Sequence, residues 1–177
     1  DSIPFLKERE EIVSSKYIGD KYITLTLRDN GYSPTRNSSQ TDIDEFTKFA
    51  SEINSIPVII PDDVNKLSEY SFSDNVLIYE KARISMSHRI LIYSMSNMNI
   101  FPPSGPFYVS LFLKNTKSLM YNIGVNWEDD EPLAARRVYG YDLGDQPYLN
   151  LNGRLIWHAL NPRFTAKDLM KVFNSLD

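Results

Sequence analysis

Tyr22-Ile-Thr-Leu-Thr-Leu-Arg28-Asp-Asn-Gly-Tyr-Ser-Pro-Thr-Arg36-Asn-Ser-Ser39 is the stretch on which the fold turns. Its first six residues alternate β-branched and apolar side chains, the pattern of a strand. The remainder, with Asn30, Gly31, Pro34 and Asn37 among several serines, has the composition of a loop. Beyond it, Ile43, Phe46, Phe49, Ala50 and Ile53 recur at helical spacing between Asp42 and Ile53. Asp42 with Glu45 three residues later predicts a variant capping box for that helix. Pro57-Val-Ile-Ile60 then forms a short apolar run ended by Pro61-Asp62-Asp63. A run apolar on both sides suits a central parallel strand, covered on both faces.

The same unit recurs toward the C-terminus. Val76 to Tyr79 reads as a short strand, and Ser85 to Ser96 as a helix with Met86, Ile90 and Tyr93 inward. Met98 to Phe101 predicts another strand, followed by the turn Pro102-Pro103-Ser104-Gly105. Pro106 is placed to open a helix, since its missing N–H is not needed there. Ser118 to Ile123 and Arg154 to Trp157 read as the last strands, with an acidic, then polar excursion from Trp127 to Asn152 between them. Thr165 with Asp168 caps a final helix whose Leu169, Val172, Phe173 and Leu176 face inward. Strands separated by helices imply right-handed crossovers. The fold class expected is α/β, a Rossmann-like open, mostly parallel sheet with helices on both faces.

Composition narrows the function. At 177 residues the chain supports one sizeable core, read as a single α/β domain over 1–177 with 1–20 as a lead-in segment. The net charge of -4 weighs against nucleic acid as a partner. With no cysteine and two distant histidines, His88 and His158, no metal site is expected. No apolar run reaches the length of a membrane span, and the start carries no apolar signal core. A cytoplasmic location is therefore expected, with peripheral contact to a membrane surface still compatible. The first residue is not Met, and the chain reads as part of a longer one.

Ligands of open α/β sheets bind at the carboxyl edge, where the loop from Arg28 to Ser39 lies. Arg28 and Arg36, eight residues apart, can grip a phosphate or diphosphate from two sides. Asn37 and Ser38 add donors, and the following helix favours an anion at its start. As plain loop arginines, they would instead pair with Asp29 or Asp42. A second candidate is Ser104-Gly105-Pro106, where glycine lets a ligand approach the backbone; a rigid turn opening a helix explains it equally. Arg89 either reaches toward the carboxyl edge or covers the surface with its stem. Asp62 can hold a ribose or base group, or cap a turn together with Asp63. His88 and His158 read as structural, and the acids from Glu128 to Glu131 as a solvated loop. There is no Walker loop, GxGxxG, GxSxG or HExxH, so the catalytic residues stay unassigned.

These marks resemble bacterial glycosyltransferases of the two-Rossmann-half, GT-B type, related to the fucosyltransferase and heptosyltransferase groups. The resemblance is carried by Ile23 to Arg28, Arg36-Asn37-Ser38, Val58-Ile-Ile-Pro-Asp62, Arg89 with Tyr93, and Ser104-Gly105-Pro106, with Asp145-Gln146 and Trp157 in the closing part. It implies a metal-independent transferase of polysaccharide biosynthesis with no cofactor beyond a nucleotide-sugar donor as substrate. The donor diphosphate would sit on Arg28 and Arg36, with a glycan acceptor and a second domain from the parent chain. Two alternatives stand beside it. One is a non-catalytic nucleotide- or glycan-binding module of the same fold; the other is a phosphate-ester hydrolase using Asp62 or Asp63.

Overall fold

The computed structural model describes residues 21–31, 34, 37–113, 116–121, 154–157 and 164–175; of 111 and 154–157 the backbone alone is described. Six strands form one sheet: β1 (Tyr22–Thr26), β2 (Ile56–Ile60), β3 (Leu77–Ile78), β4 (Asn99–Phe101), β5 (Lys117–Met120) and β6 (Arg154–Trp157). Every pairing is parallel, and the spatial order is β3-β2-β1-β4-β5-β6. The chain grows outward from β1 in one direction, then returns to grow outward from β4 in the other. That reversal, between β1 and β4, is the switch point at which doubly wound sheets open a crevice. The strands read as inner, Tyr22 to Leu27 and Val58 to Ile60, are flanked on both sides.

Side-chain alternation splits the core into two layers. Ile23, Leu25, Leu27, Ile59, Ile100 and Leu119 face α1 (Gln40–Glu52) and the terminal helix, α5 (Ala166–Ser175). Val58, Ile60, Phe101 and Met120 face α2 (Lys81–Ile84), α3 (Met86–Met95) and α4 (Gly105–Leu111). Helices therefore cover both faces, as the periodicity requires. Phe46 and Phe49 of α1 are fully buried, and such burial contributes about 1.5–3 kcal/mol for each side chain. Phe49 meets Phe173 of α5 edge-on, 5.9 Å between centroids, which joins the first and last helices.

Two local expectations are corrected. The N-cap of α1 is Ser39, whose hydroxyl accepts from the Asp42 N–H while the Asp42 carboxylate accepts from the Ser39 N–H at 2.8 Å. Glu45, one turn further on, instead accepts the Ala166 N–H at 2.7 Å and so holds the start of α5. Met86 lies outward, 57% exposed, and the inward residues of α3 are His88, Leu91, Ile92 and Tyr93. Met86 is the first residue of the helix, whose inward face begins at His88. Thr165 and Asp168 cap α5 reciprocally, as their spacing predicts. The 3-10 turn Val64–Glu69 and the short α2 lie in stretches to which the sequence reading assigned no element. The Trp127 to Asn152 excursion, with its acids, lies outside the described residues, as do Asp145, Gln146 and His158.

Candidate functional site

The loops that follow β1, β2 and β4 meet at the carboxyl edge of the sheet. Leu27 continues β1 by donating its N–H to the Ile60 carbonyl at 2.9 Å. Beyond it the chain leaves the sheet as a loop pinched at its neck. The Arg28 N–H donates to Ser38 Oγ at 3.0 Å, and the Ser38 N–H returns a bond to the Arg28 carbonyl at 2.9 Å. Ser38 is buried, with its hydroxyl also 3.2 Å from the Tyr121 hydroxyl beyond β5. Asn37 acts as a strut: its Oδ1 accepts the Asn30 N–H, and its Nδ2 donates to the Asn30 carbonyl and to Asp29. Ser38 and Asn37 thus spend their polar groups on shaping the loop.

Arg28 spans the switch point. It leaves the end of β1, and its Nη1 donates to the Pro103 carbonyl beyond β4 at 3.3 Å. The guanidinium is thereby held across the crevice. Beside Pro103, Ser104 is the N-cap of α4, Gly105 its first residue and Pro106 its second. The Ser104 hydroxyl donates to the Pro102 carbonyl rather than capping the helix. A Cβ built on Gly105 meets nothing within 4 Å, so open space lies against the backbone there.

On the other side of Arg28, Asp62 Oδ2 accepts the Asp29 N–H at 3.2 Å and joins the β2 loop to the β1 loop. Asp63 caps the 3-10 turn through the Asn65 N–H at 3.0 Å. Both carboxylates of the pair hold backbone, the capping role that their position also allows. Two cations not singled out from the sequence also stand at this edge. Lys66 binds Asp29, and Arg83 Nε donates to the Asp62 carbonyl at 2.9 Å. The hydrogen bond to Asp29 holds the Lys66 ammonium above its ordinary range, opposed by its loss of hydration and aided by the charges of Asp29, Glu69 and Asp63. Tyr70, whose hydroxyl donates to the Ser38 carbonyl, is raised chiefly by burial and then by the charge of Asp29.

The structure therefore brings together Arg28, Asn37, Ser38, Asp62, Ser104, Gly105 and Pro106. Arg36 lies outside the described residues. Arg89 belongs to the first turn of α3, not its middle. Its Nε donates to the Ala82 carbonyl at 2.7 Å and its Nη2 to the Arg83 carbonyl at 3.4 Å, so it closes the C-terminal end of α2. His88 is buried with its Nδ1 against the Tyr79 hydroxyl, a structural place. Among the described residues no group of three or more His, Asp or Glu is arranged to hold a metal ion. None of the described helices is long and apolar enough to cross a membrane.

No family model matches the sequence, and no curated protein matches it. Among solved structures, the chain is similar to the E. coli ADP-heptose LPS heptosyltransferase II, with a TM-score of 0.54 at 9% identity. The likeness covers 99% of this chain and 52% of that one, so the chain spans about half of that protein's length. At such identity the likeness is one of fold. The chain is thus a Rossmann-like α/β protein whose fold is similar to that of a glycosyltransferase.

Proposed function

We propose that this chain is the donor-binding half of a metal-independent glycosyltransferase, taking a nucleotide sugar at the carboxyl edge between β1 and β4. The observation that carries the reading is Arg28, fixed across the switch point with Nη1 on the Pro103 carbonyl. A guanidinium so held is ordered before a ligand arrives, and its planar shape suits the recognition of phosphate. Arg36, on the same loop, is assigned the second cation. Ser104, Gly105 and Pro106 form the opposite wall, where the open space at Gly105 admits a diphosphate against backbone. Asp62 stands next to the β1 loop, where it can meet a ribose or base group. Arg89 acts indirectly, holding the carbonyls of α2, whose Arg83 reaches the Asp62 carbonyl.

In the reaction, the acceptor hydroxyl oxygen forms a bond to the anomeric carbon as the bond from that carbon to the diphosphate oxygen breaks. The electron pair leaves with the nucleoside diphosphate, and the hydroxyl proton passes to a base. Arg28 and Arg36 stabilise the charge that grows on the leaving diphosphate. The base and the glycan acceptor site are assigned to a second domain, in keeping with the half-length match. The setting is cytoplasmic polysaccharide assembly. The hydrolase alternative finds no metal set among the described residues, and Asp63 caps the 3-10 turn.

Calorimetric titration of the protein with ADP, UDP and GDP tests the reading. Binding of one of them is expected, with Arg28→Ala weakening it by roughly ten- to a hundredfold, the worth of a charge-assisted phosphate contact of about 1.5–3 kcal/mol. Equal affinities with a lowered melting point would make Arg28 a scaffold residue and overturn the assignment. Binding without sugar transfer by the full-length protein would instead identify the non-catalytic module.

A further inference from the structure

Asp62 is tied to its neighbours through both of its acceptors. Its Oδ2 accepts the Asp29 N–H at 3.2 Å, and its carbonyl accepts Arg83 Nε at 2.9 Å. Arg83 is in turn seated from α3, where Arg89 donates to the Ala82 carbonyl at 2.7 Å and to the Arg83 carbonyl at 3.4 Å. Because α2 has four residues and no side-chain cap, these bonds rather than helical propensity fix where Arg83 stands. Asp62 and Arg83 are both exposed. Among the described residues, Asp62 Oδ1 has no hydrogen-bond partner, and neither have Nη1 and Nη2 of Arg83. The two side chains are thus placed by bonds that leave an acceptor on one and a donor fork on the other unused.

The strand order sets this pair to one side of the crevice. Arg28 leaves β1 and reaches Pro103 beyond β4, whereas Asp62 follows β2 and Arg83 follows β3, on the other side of β1. Neighbouring strands lie about 4.8 Å apart, so the pair stands one to two strand spacings from Arg28. A nucleoside extending from a diphosphate at Arg28 has the length to cross that distance. A guanidinium only donates and a carboxylate only accepts, so the pair offers one of each. A further phosphate would meet the Asp62 carboxylate as a like charge and does not suit the place. A neutral group with an acceptor next to a donor suits both side chains.

We infer that Asp62 and Arg83 read the base of the nucleotide sugar and select a lactam edge, a carbonyl oxygen beside a ring N–H. Arg83 donates to the carbonyl oxygen, and Asp62 Oδ1 accepts the ring N–H. Guanine presents this edge as O6 beside N1–H, and uracil as O4 beside N3–H. Adenine and cytosine present the reverse, an amino group beside an unprotonated ring nitrogen. Against this pair they set donor to donor and acceptor to acceptor, which leaves polar groups unpaired on both partners. The inference rests on the donor-site reading, which supplies the diphosphate end. It also sets this chain apart from the ADP-heptose enzyme to which its fold is similar, since adenine carries the reversed edge.

Calorimetric titration with two matched pairs tests the inference, IDP against ADP and UDP against CDP. Within each pair the rings match in size and only the edge is exchanged. In the pair whose ring fits, the lactam member is expected to bind at least about tenfold more tightly. Arg83→Ala is expected to lower that preference to about twofold or less, by weakening the lactam member alone. Asp62→Asn keeps an amide oxygen for the Asp29 N–H and turns the second oxygen into a donor, so the preference should vanish or reverse. Arg28→Ala, at the diphosphate, should weaken both members of a pair and leave their ratio unchanged. Melting curves accompany each variant, and the wild-type ratio stands independently of them. Equal binding of both members by the wild type, or a loss in Arg83→Ala shared by both, overturns the base assignment and leaves the donor site in place. Absence of binding by all four overturns the donor site itself, and the inference with it.

Discussion

Gly105 separates a structural turn from a ligand wall better than any other single residue. A Cβ there meets nothing within 4 Å, and the residue opens α4, where alanine is favoured over glycine in a helical turn. Gly105→Ala is therefore expected to leave the melting temperature unchanged or slightly raised. If the open space receives a diphosphate, the added methyl weakens nucleoside diphosphate binding by about tenfold or more, a cost of about 1.4 kcal/mol. Paired melting and titration curves check this, and unchanged affinity would place the ligand elsewhere. At this scale the sequence was legible where one residue had one available role. Arg28 at the end of a strand had to stand at the carboxyl edge. Arg89 did not follow, because its partners are backbone carbonyls of a four-residue helix that leaves no periodic trace. Ser38 and Asn37 were read as donors for a ligand, yet loops with so many polar side chains first satisfy their own backbone.

Elements were legible in proportion to their length and to the strength of their period. β1, β2, α1 and α5 each combine a clear period with bounding polar residues, and all four stand where they were expected. The N-terminus of α1 differed by one choice among adjacent caps. Ser39, Asp42 and Glu45 stand at successive three-residue intervals, so two capping boxes fit the same spacing. The structure uses the first and releases Glu45 for α5. Ser39→Ala is accordingly expected to cost about 1 kcal/mol, a fall of roughly 2–4 °C in a chain of this size. Glu45→Ala is expected to cost a comparable or larger amount through α5, since the Ala166 N–H would lose a charged acceptor. Amide exchange discriminates the two. Ser39→Ala should loosen the first turn of α1, and Glu45→Ala the first turn of α5. Loosening of α1 by both would return the cap to Asp42 and Glu45.

At the scale of the whole molecule, the parallel sheet covered on both faces was readable from the chain, whereas the order in which its strands lie was not. The seam that locks the switch point was not readable, because hydroxyls in a strand look like ordinary β-formers. Tyr22, Thr24 and Thr26 alternate onto one side of β1. Tyr22 donates its hydroxyl to the Ile92 carbonyl at 2.6 Å, Thr24 to Asn99 Oδ1 at 2.8 Å, and Thr26 shares a bond with the Tyr93 hydroxyl at 2.8 Å. Asn99 Nδ2 closes the set on the Tyr93 carbonyl at 3.0 Å, so β1, β4 and α3 are bound through one buried polar line. Such a line is stable only while its phenols stay neutral. Burial pushes the Tyr93 phenol up to about 12 from 10.0, against the hydrogen bond from Thr26 and the charge of Arg89, and burial raises Tyr22 further in the same direction. The folded state then holds phenolic protons that the unfolded chain releases above pH 10. Stability from this source is complete below that pH and is lost as pH rises toward the folded values. Denaturant midpoints should therefore be flat in mildly alkaline solution and fall steeply above about pH 10, by up to about 1.4 kcal/mol per pH unit for each phenol. Tyr93→Phe keeps the edge-on contact with Phe101, 5.0 Å between centroids, and gives up the bond to Thr26. It should cost about 1 kcal/mol at neutral pH and make the alkaline fall shallower, leaving Tyr22 to supply the remaining slope. An alkaline slope identical to wild type would show that Tyr93 does not carry the linkage.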